Sequence, residues 1–240
     1  MKKIKKSSEL LWVMGIIFVA LGVAICNKAD LGVSMIAAPA FVVFEAISQL
    51  WGFFSVGMVE YLIQGLLLVL LCAIIGKFRW RYLLAFASAV IYGYVLNLFI
   101  WLMKDIYLST VASRYAMLIL GDVVTALGVA CFFKTYMPLQ VYELFVSETA
   151  KRFGTSISKI KGLFDASLLV MSIILAFSLF GDAKSFDWTT ITYSSFHSIG
   201  LGTLITTAIN SPLIHFASRL IDKLFDATPR FEKLKQVISN

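Results

Sequence analysis

Several charged and polar residues stand where an apolar chain has little reason to hold them. Asp122 lies about eight residues inside the apolar run 114–133. An ionised carboxylate at that depth in a bilayer costs ~3 kcal/mol on insertion scales, so it needs a partner, a proton or water. Glu60 and Gln64 stand four apart in the run 56–76 and so share one helix face. Asp165 falls near the start of the run 163–181, four residues after Lys161. Glu45 sits alone in the apolar stretch that follows the Asp30–Ser34 turn of segment 29–52, and Glu143 and Glu148 belong to the more polar segment 136–158. Carboxylates so placed can take up a proton, bind a coupling ion or hold a cationic or polar solute. Each also has a plainer role. Asp122 can stay neutral and fix helix packing, Glu60 can reach interfacial water, and Asp165 can pair with Lys161. Glu45 can lie shallow, and Glu143 and Glu148 can form a solvated face with Lys151 and Arg152. Gly200, Thr203, Thr207 and Asn210 recur along one helical stripe, broadened by Thr206. Such a stripe packs against a small-residue helix or lines a polar path.

Chemistry of other kinds finds no support. His197 and His215 fall at opposite ends of one apolar run and make no ligand set for a metal. No GxSxG, HExxH or phosphate-loop pattern occurs. Cys26, Cys72 and Cys131 form no CxxC pair and read as small buried apolar residues, with no disulfide framework. No catalytic residue, metal or cofactor is expected, and the chain does not read as an enzyme.

The elements that must position these residues follow from composition. Of 240 residues, 60% are hydrophobic and only 15% charged, against roughly 25% charged in soluble domains. Mean hydropathy is +0.87. Lipid is the expected solvent. A span needs ~20 mostly apolar residues to cross ~30 Å of hydrocarbon. Six such runs are marked, at 10–27, 56–76, 82–103, 114–133, 163–181 and 197–217. The first follows a basic start, Met1 to Lys6, as a signal peptide would. It lacks a small-residue cleavage site, and Ile25 before Cys26 is too large for a lipoprotein site, so it reads as a retained span. The fold class predicted is an all-α integral membrane protein, one membrane domain over 1–240. The segments 29–52 and 136–158 are left as re-entrant, interfacial or spanning.

Charge favours the six-span arrangement. The net charge is +7, and the basic residues cluster between apolar runs as the positive-inside rule expects, not on a basic-aromatic surface for nucleic acid. With both termini cytoplasmic, seventeen of the 21 basic residues lie inside, leaving Lys28, Lys104, Arg114 and Lys184 outside. If 29–52 crossed alone, Lys77, Arg79 and Arg81 would face outward. Trp12, Trp51, Trp80, Trp101 and Trp188 all fall at span ends, the headgroup level that suits an amphipathic ring.

The chain also repeats itself. Gly15 to Lys28 (GIIFVALGVAICNK) and Gly121 to Lys134 (GDVVTALGVACFFK) match at seven of fourteen positions with an offset of 106. Ser55 to Leu70 aligns with Ser156 to Met171, which sets Gln64 opposite Asp165, and Asn97 falls roughly opposite Asn210. Each half, 10–103 and 114–217, reads as span, short segment, span, span, ahead of a basic cytoplasmic tail, 218–240. Three spans per half is odd, so the second half enters the membrane from the opposite side. Inverted repeats with interrupted segments are a common plan of secondary transporters, which bind substrate near the midplane. Met137-Pro138 would open the second short segment, a helix start being where the missing N–H of proline costs nothing.

At ADLGVSMIAAP (29–39), YELF (142–145) and IGLGTLITTAINSPLIHF (199–216), the sequence resembles the YczE/YyaS/YitT-like group of bacterial multi-pass membrane proteins. Gly200, Gly202 and Thr203 fit the closing Gly-x-Gly-Thr run. Ser211-Pro212 departs from the group's Gly-Pro, and Met35 stands where many members have proline. The resemblance implies a membrane or transport protein and names no substrate. The expectation is a small secondary transporter or exporter of a polar or cationic solute in the cytoplasmic membrane. The alternative is a non-transporting module, a solute-capture subunit or scaffold for a protein on the cytoplasmic side. The partners expected are the lipid bilayer, a small solute or coupling ion, and a second copy or cytoplasmic partner, with no nucleic acid.

Overall fold

Apolar runs of 20 or more residues must satisfy their backbone polar groups internally once water is removed, and helices do so. The computed structural model describes residues 4–180, 192 and 194–228. A strand β1 (Ile4–Ser7) leads into α1 (Ser8–Ala29), α2 (Ala38–Ser48), α3 (Val56–Ile75), α4 (Trp80–Leu102), α5 (Val111–Phe132), α6 (Val141–Phe153), α7 (Ile157–Phe180) and α8 (Leu201–Leu224), followed by β2 (Phe225–Thr228). The chain is an all-α multi-pass membrane protein. Five helices, α1, α3, α4, α5 and α7, are long and apolar enough to cross a bilayer. The sixth expected span, α8, has 24 residues but dilutes its apolar ones with Thr203, Thr206, Thr207, Asn210 and Ser211. It is long enough and less apolar, and it packs along α5.

Close helix contact comes from glycine. A side chain at Gly22 would lie 2.6 Å from the carbonyl oxygen of Gly121, and one at Gly15 would lie 3.2 Å from that of Gly128. Early α1 thus meets late α5 and late α1 meets early α5, so the two helices run antiparallel. The four glycines are the ones the repeat alignment pairs with each other. Missing side chains let backbones approach and gain dispersion contact where no hydrophobic drive exists between helices in lipid. Gly57 and Gly93 do the same for α3 and α4, where a side chain at Gly57 would sit 2.0 Å from the Gly93 carbonyl oxygen. Asn97 secures that crossing by accepting from the Gly57 N–H at 2.8 Å and donating to Ser55 Oγ at 2.8 Å. Asn97 is thus a cap for α3.

The two ends of the bundle differ. One carries Arg79, Arg81, Lys134 and Lys151, with Lys134 joined to Asp222 at 2.8 Å. The other carries Asp30, Glu45 and Arg114, with Arg114 on Asp30 at 2.9 Å. β1 and β2 pair in parallel, Ile4 opposite Phe225. That pair is a departure from the purely helical expectation, and it ties both described ends of the chain to the basic end.

The short helices do not cross. At ~1.5 Å per residue, the 11 residues of α2 and 13 of α6 reach well short of the ~30 Å core. Their contacts give their depth. The N–H of Val141, the first residue of α6, donates to Gln64 Oε1 at 3.2 Å, halfway along α3. Glu148, two turns later, meets Arg79 and Tyr82 at the basic end. So α6 starts in the middle of the bundle and descends to the basic end. α2 mirrors it. Ala37, its N-cap, lies beside the central cavity, and Glu45 reaches His197 at the opposite end. Packing is reciprocal too: α2 lies on α7 and α6 on α3, while α4 lies on α1 and α8 on α5. Of the residues used in the sequence reading, Lys2, Lys3, Lys184, Trp188, Arg230, Lys233, Lys235 and most of the tail lie outside the described residues.

Candidate functional site

Where α2 and α6 begin, the chain leaves a cavity of ≈ 50 Å³. One ordered water needs roughly 10–15 Å³ on this kind of measure, so the space suits a few waters or a small ion and no larger solute. Glu60 from α3, Glu143 from α6, Lys161 from α7 and Asn210 from α8 line it, with Ser34, Thr125 and Gln140. Nearly every helix contributes.

The chemistry of this cavity is unbalanced. Glu60 is only 2% exposed and receives the Tyr142 hydroxyl at 3.3 Å. Glu143 has one carboxylate oxygen, Oε2, buried without a hydrogen-bond partner. Gln140 Nε2 and Asn210 Oδ1 are likewise buried and unpaired. Lys161 is the cationic residue of the lining, and it is engaged by Asp165 one turn along α7 at 3.1 Å. One buried carboxylate, Glu60, and one half-buried carboxylate, Glu143, thus share a small cavity with one ammonium that is already paired. A buried polar atom costs roughly 1–3 kcal/mol when left unsatisfied, so three such atoms around one cavity mark a place built for something polar.

Other sequence candidates sort themselves around this cavity. Gln64 is fully buried one turn below Glu60. Its carbonyl caps α6, and its Nε2 is unpaired. Asp165 sits at the cavity's edge through Lys161. Asp122 is 1% exposed with one unpaired oxygen, yet it does not line the cavity. It lies one residue past Gly121, beside the α1–α5 contact and one turn before the cavity-lining Thr125. Glu148 serves the basic end, held by Arg79 at 3.0 Å and Lys151 at 3.1 Å beside a cleft of ≈ 320 Å³. Thr206 and Thr207 return their hydroxyls to the Thr203 carbonyl, so the stripe on α8 is mostly packing and touches the cavity only at Asn210.

Thr203 and Glu45 belong to the opposite end. There the turn Leu31–Ser34 docks on the start of α8. Gly202 N donates to Leu31 O at 2.8 Å, and Val33 N donates to Ser198 O at 3.0 Å. A side chain at Gly32, whose φ is +101°, would lie 2.4 Å from Thr203 Oγ1. That contact explains both the glycine and the fully buried threonine. Asp30, His197 and Ser198 are non-glycine residues at positive φ in the same junction, a conformation that costs energy unless its surroundings hold it. They rim a polar cavity of ≈ 210 Å³. Glu45 Oε1 meets His197 Nδ1 there at 2.8 Å, and Phe180 stacks on the His197 ring at 3.6 Å.

The sequence reading missed Lys161, Gln140 and Tyr142 as cavity residues. Lys161 was legible: the alignment that sets Gln64 opposite Asp165 also sets Glu60 opposite Lys161. Gln140 and Tyr142 follow a loop whose path only the tertiary structure fixes.

Comparisons with known proteins agree with this architecture. The chain is 26% identical over 216 residues to a Bacillus subtilis (strain 168) protein described as "Uncharacterized protein YyaS", covering 88% of this chain and 92% of that one. No solved structure matches. A family model described as "Family of unknown function (DUF6198)" matches residues 6–219, nearly the whole multi-helix unit that holds the cavity, and the chain belongs to that family.

Proposed function

We propose that this protein is a secondary transporter of a small polar or cationic solute, built as an inverted repeat whose two halves enclose the central cavity. The carrying observation is the pair of buried Glu60 and half-buried Glu143 lining one cavity from which two short helices depart toward opposite ends. Irregular backbone at membrane depth is tolerated where it lines a protected polar space, and half-helices meeting near the midplane are a recurring way to build a binding site. The antiparallel pairing of α1 with α5 through repeat-matched glycines supports the inverted relation. The Glu45–His197 and Asp30–Arg114 contacts hold one end of the bundle together, and α6 runs from the cavity to the other. The positive-inside bias supports a basic end that faces the cytoplasm across the cell membrane.

The direct test is flux. Purified protein in proteoliposomes is offered labelled small polar and cationic solutes under proton or sodium gradients. Uptake of at least one that falls at least tenfold in Glu60→Gln supports the reading. Absence of flux across the panel, or flux indifferent to Glu60→Gln, overturns it. A non-transporting module draws on one observation, the ≈ 320 Å³ cleft at the basic end between α4 and α6, lined by Arg81, Glu148 and Lys151. Flux by the protein alone counts against that second reading.

A further inference from the structure

Glu60 and Lys161 occupy matching positions of the two halves, and both line the same cavity. Their neighbours one turn on, Gln64 and Asp165, match as well. One helix thus presents a buried carboxylate with an uncharged neighbour. The other presents an ammonium with a carboxylate neighbour, Lys161 on Asp165 at 3.1 Å. We propose that Lys161 is a tethered stand-in for the transported cation, that it exchanges between Asp165 and the Glu60–Glu143 pair, and that the solute carries an ammonium group.

Several observations converge on this assignment, which rests on the transport reading above. The cavity lining carries more carboxylate than ammonium, with Glu60 and Glu143 beside a single Lys161 that Asp165 already engages from outside the lining. A buried carboxylate in low dielectric has to be protonated or matched by a cation. Glu143 keeps an unpaired buried oxygen, and so an acceptor is open for one more donor. Gln140 is 3% exposed, lines the same cavity and has an unpaired carboxamide nitrogen, which is independent of the charges and marks the space as lacking a polar occupant. The ≈ 50 Å³ volume fits a single ammonium head. Asp165 gives Lys161 a second place to rest, within a side chain's swing and on the same helix, when an external ammonium takes the carboxylates. The tethered amine then keeps the empty site neutral enough to close, and a transporter has to close empty to return. An ammonium solute is favoured over a metal cation because the exchanging group is itself an ammonium, with three donors and no need for a full oxygen shell.

The test is a binding titration of full-length protein in nanodiscs by calorimetry, with methylammonium chloride as the probe and sodium chloride at equal ionic strength as control. Wild type is expected to bind methylammonium saturably. Lys161→Met, which removes the competitor, is expected to bind at least tenfold tighter. Asp165→Asn, which removes the alternative resting place, is expected to bind at least tenfold more weakly. Opposite shifts from two substitutions on one helix are not the signature of simple misfolding, and matched melting curves keep each variant interpretable. Equal affinity in all three proteins, or tighter binding in Asp165→Asn than in Lys161→Met, overturns the stand-in role while leaving the transport reading to the flux assay. No methylammonium binding in either wild type or Lys161→Met overturns the ammonium assignment, and flux of an uncharged solute through wild type would still stand.

Discussion

Gly22→Ala tests the most specific packing claim. The added methyl would lie 2.1 Å from Thr125 Oγ1 and 2.6 Å from both the Gly121 carbonyl oxygen and the Thr125 amide nitrogen. The hydroxyl can rotate away, but the two backbone atoms cannot. Ordinary contact begins near 3.4 Å, so α1 and α5 must part locally by about 0.8 Å. Overpacking of this kind costs roughly 1–3 kcal/mol, and the loss of close dispersion contact along the crossing adds to it. The control is Gly162→Ala on α7, where an added methyl meets nothing within 4 Å and alanine favours the helix by roughly 0.5–1 kcal/mol. The assay is thermal unfolding of the two variants and wild type in one detergent. The expected order of stability is Gly162→Ala, wild type, Gly22→Ala, with the last lowest by several degrees. Gly22→Ala melting with wild type would refute the antiparallel glycine crossing.

Gln64→Leu should cost roughly 1–3 kcal/mol by leaving the Val141 N–H buried and unsatisfied, whereas Gln64→Glu keeps the acceptor and should cost less; chemical or thermal unfolding separates them.

Much of the architecture was legible from hydropathy, charge and length. The ends of α3 and α4 fall within a few residues of the runs marked in the sequence, because Ser55 caps one helix and the Gly76 turn separates the two. The repeated ALGVA run also had structural meaning, since the glycine inside each copy, Gly22 or Gly128, packs on the glycine that opens the other matched segment, Gly121 or Gly15. Depth was not legible. Nothing local says that α6 begins at mid-bundle, because the reason lies across the chain in the Gln64 carbonyl. Asp122 drew attention as a buried charge, but periodicity does not say which neighbour its face meets, and the cavity formed around Glu60 instead. Thr203 looked like a site residue on a polar stripe; its hydroxyl in fact lies against Gly32 and the Gly200 N–H, a contact set by a turn far away in sequence. The β1–β2 pair joins the two extremities of the helical unit and has no signal in either strand alone.

The central claim is that the cavity opens to one side and then to the other. Ser34→Cys places a thiol on its lining, in a background with Cys72 replaced by alanine and the buried Cys26 and Cys131 retained. A membrane-impermeant maleimide is then applied to oriented vesicles from each side in turn. The account predicts labelling from both sides, with a transported solute changing the ratio. Labelling from one side alone, unaffected by any solute that the protein binds, would contradict it.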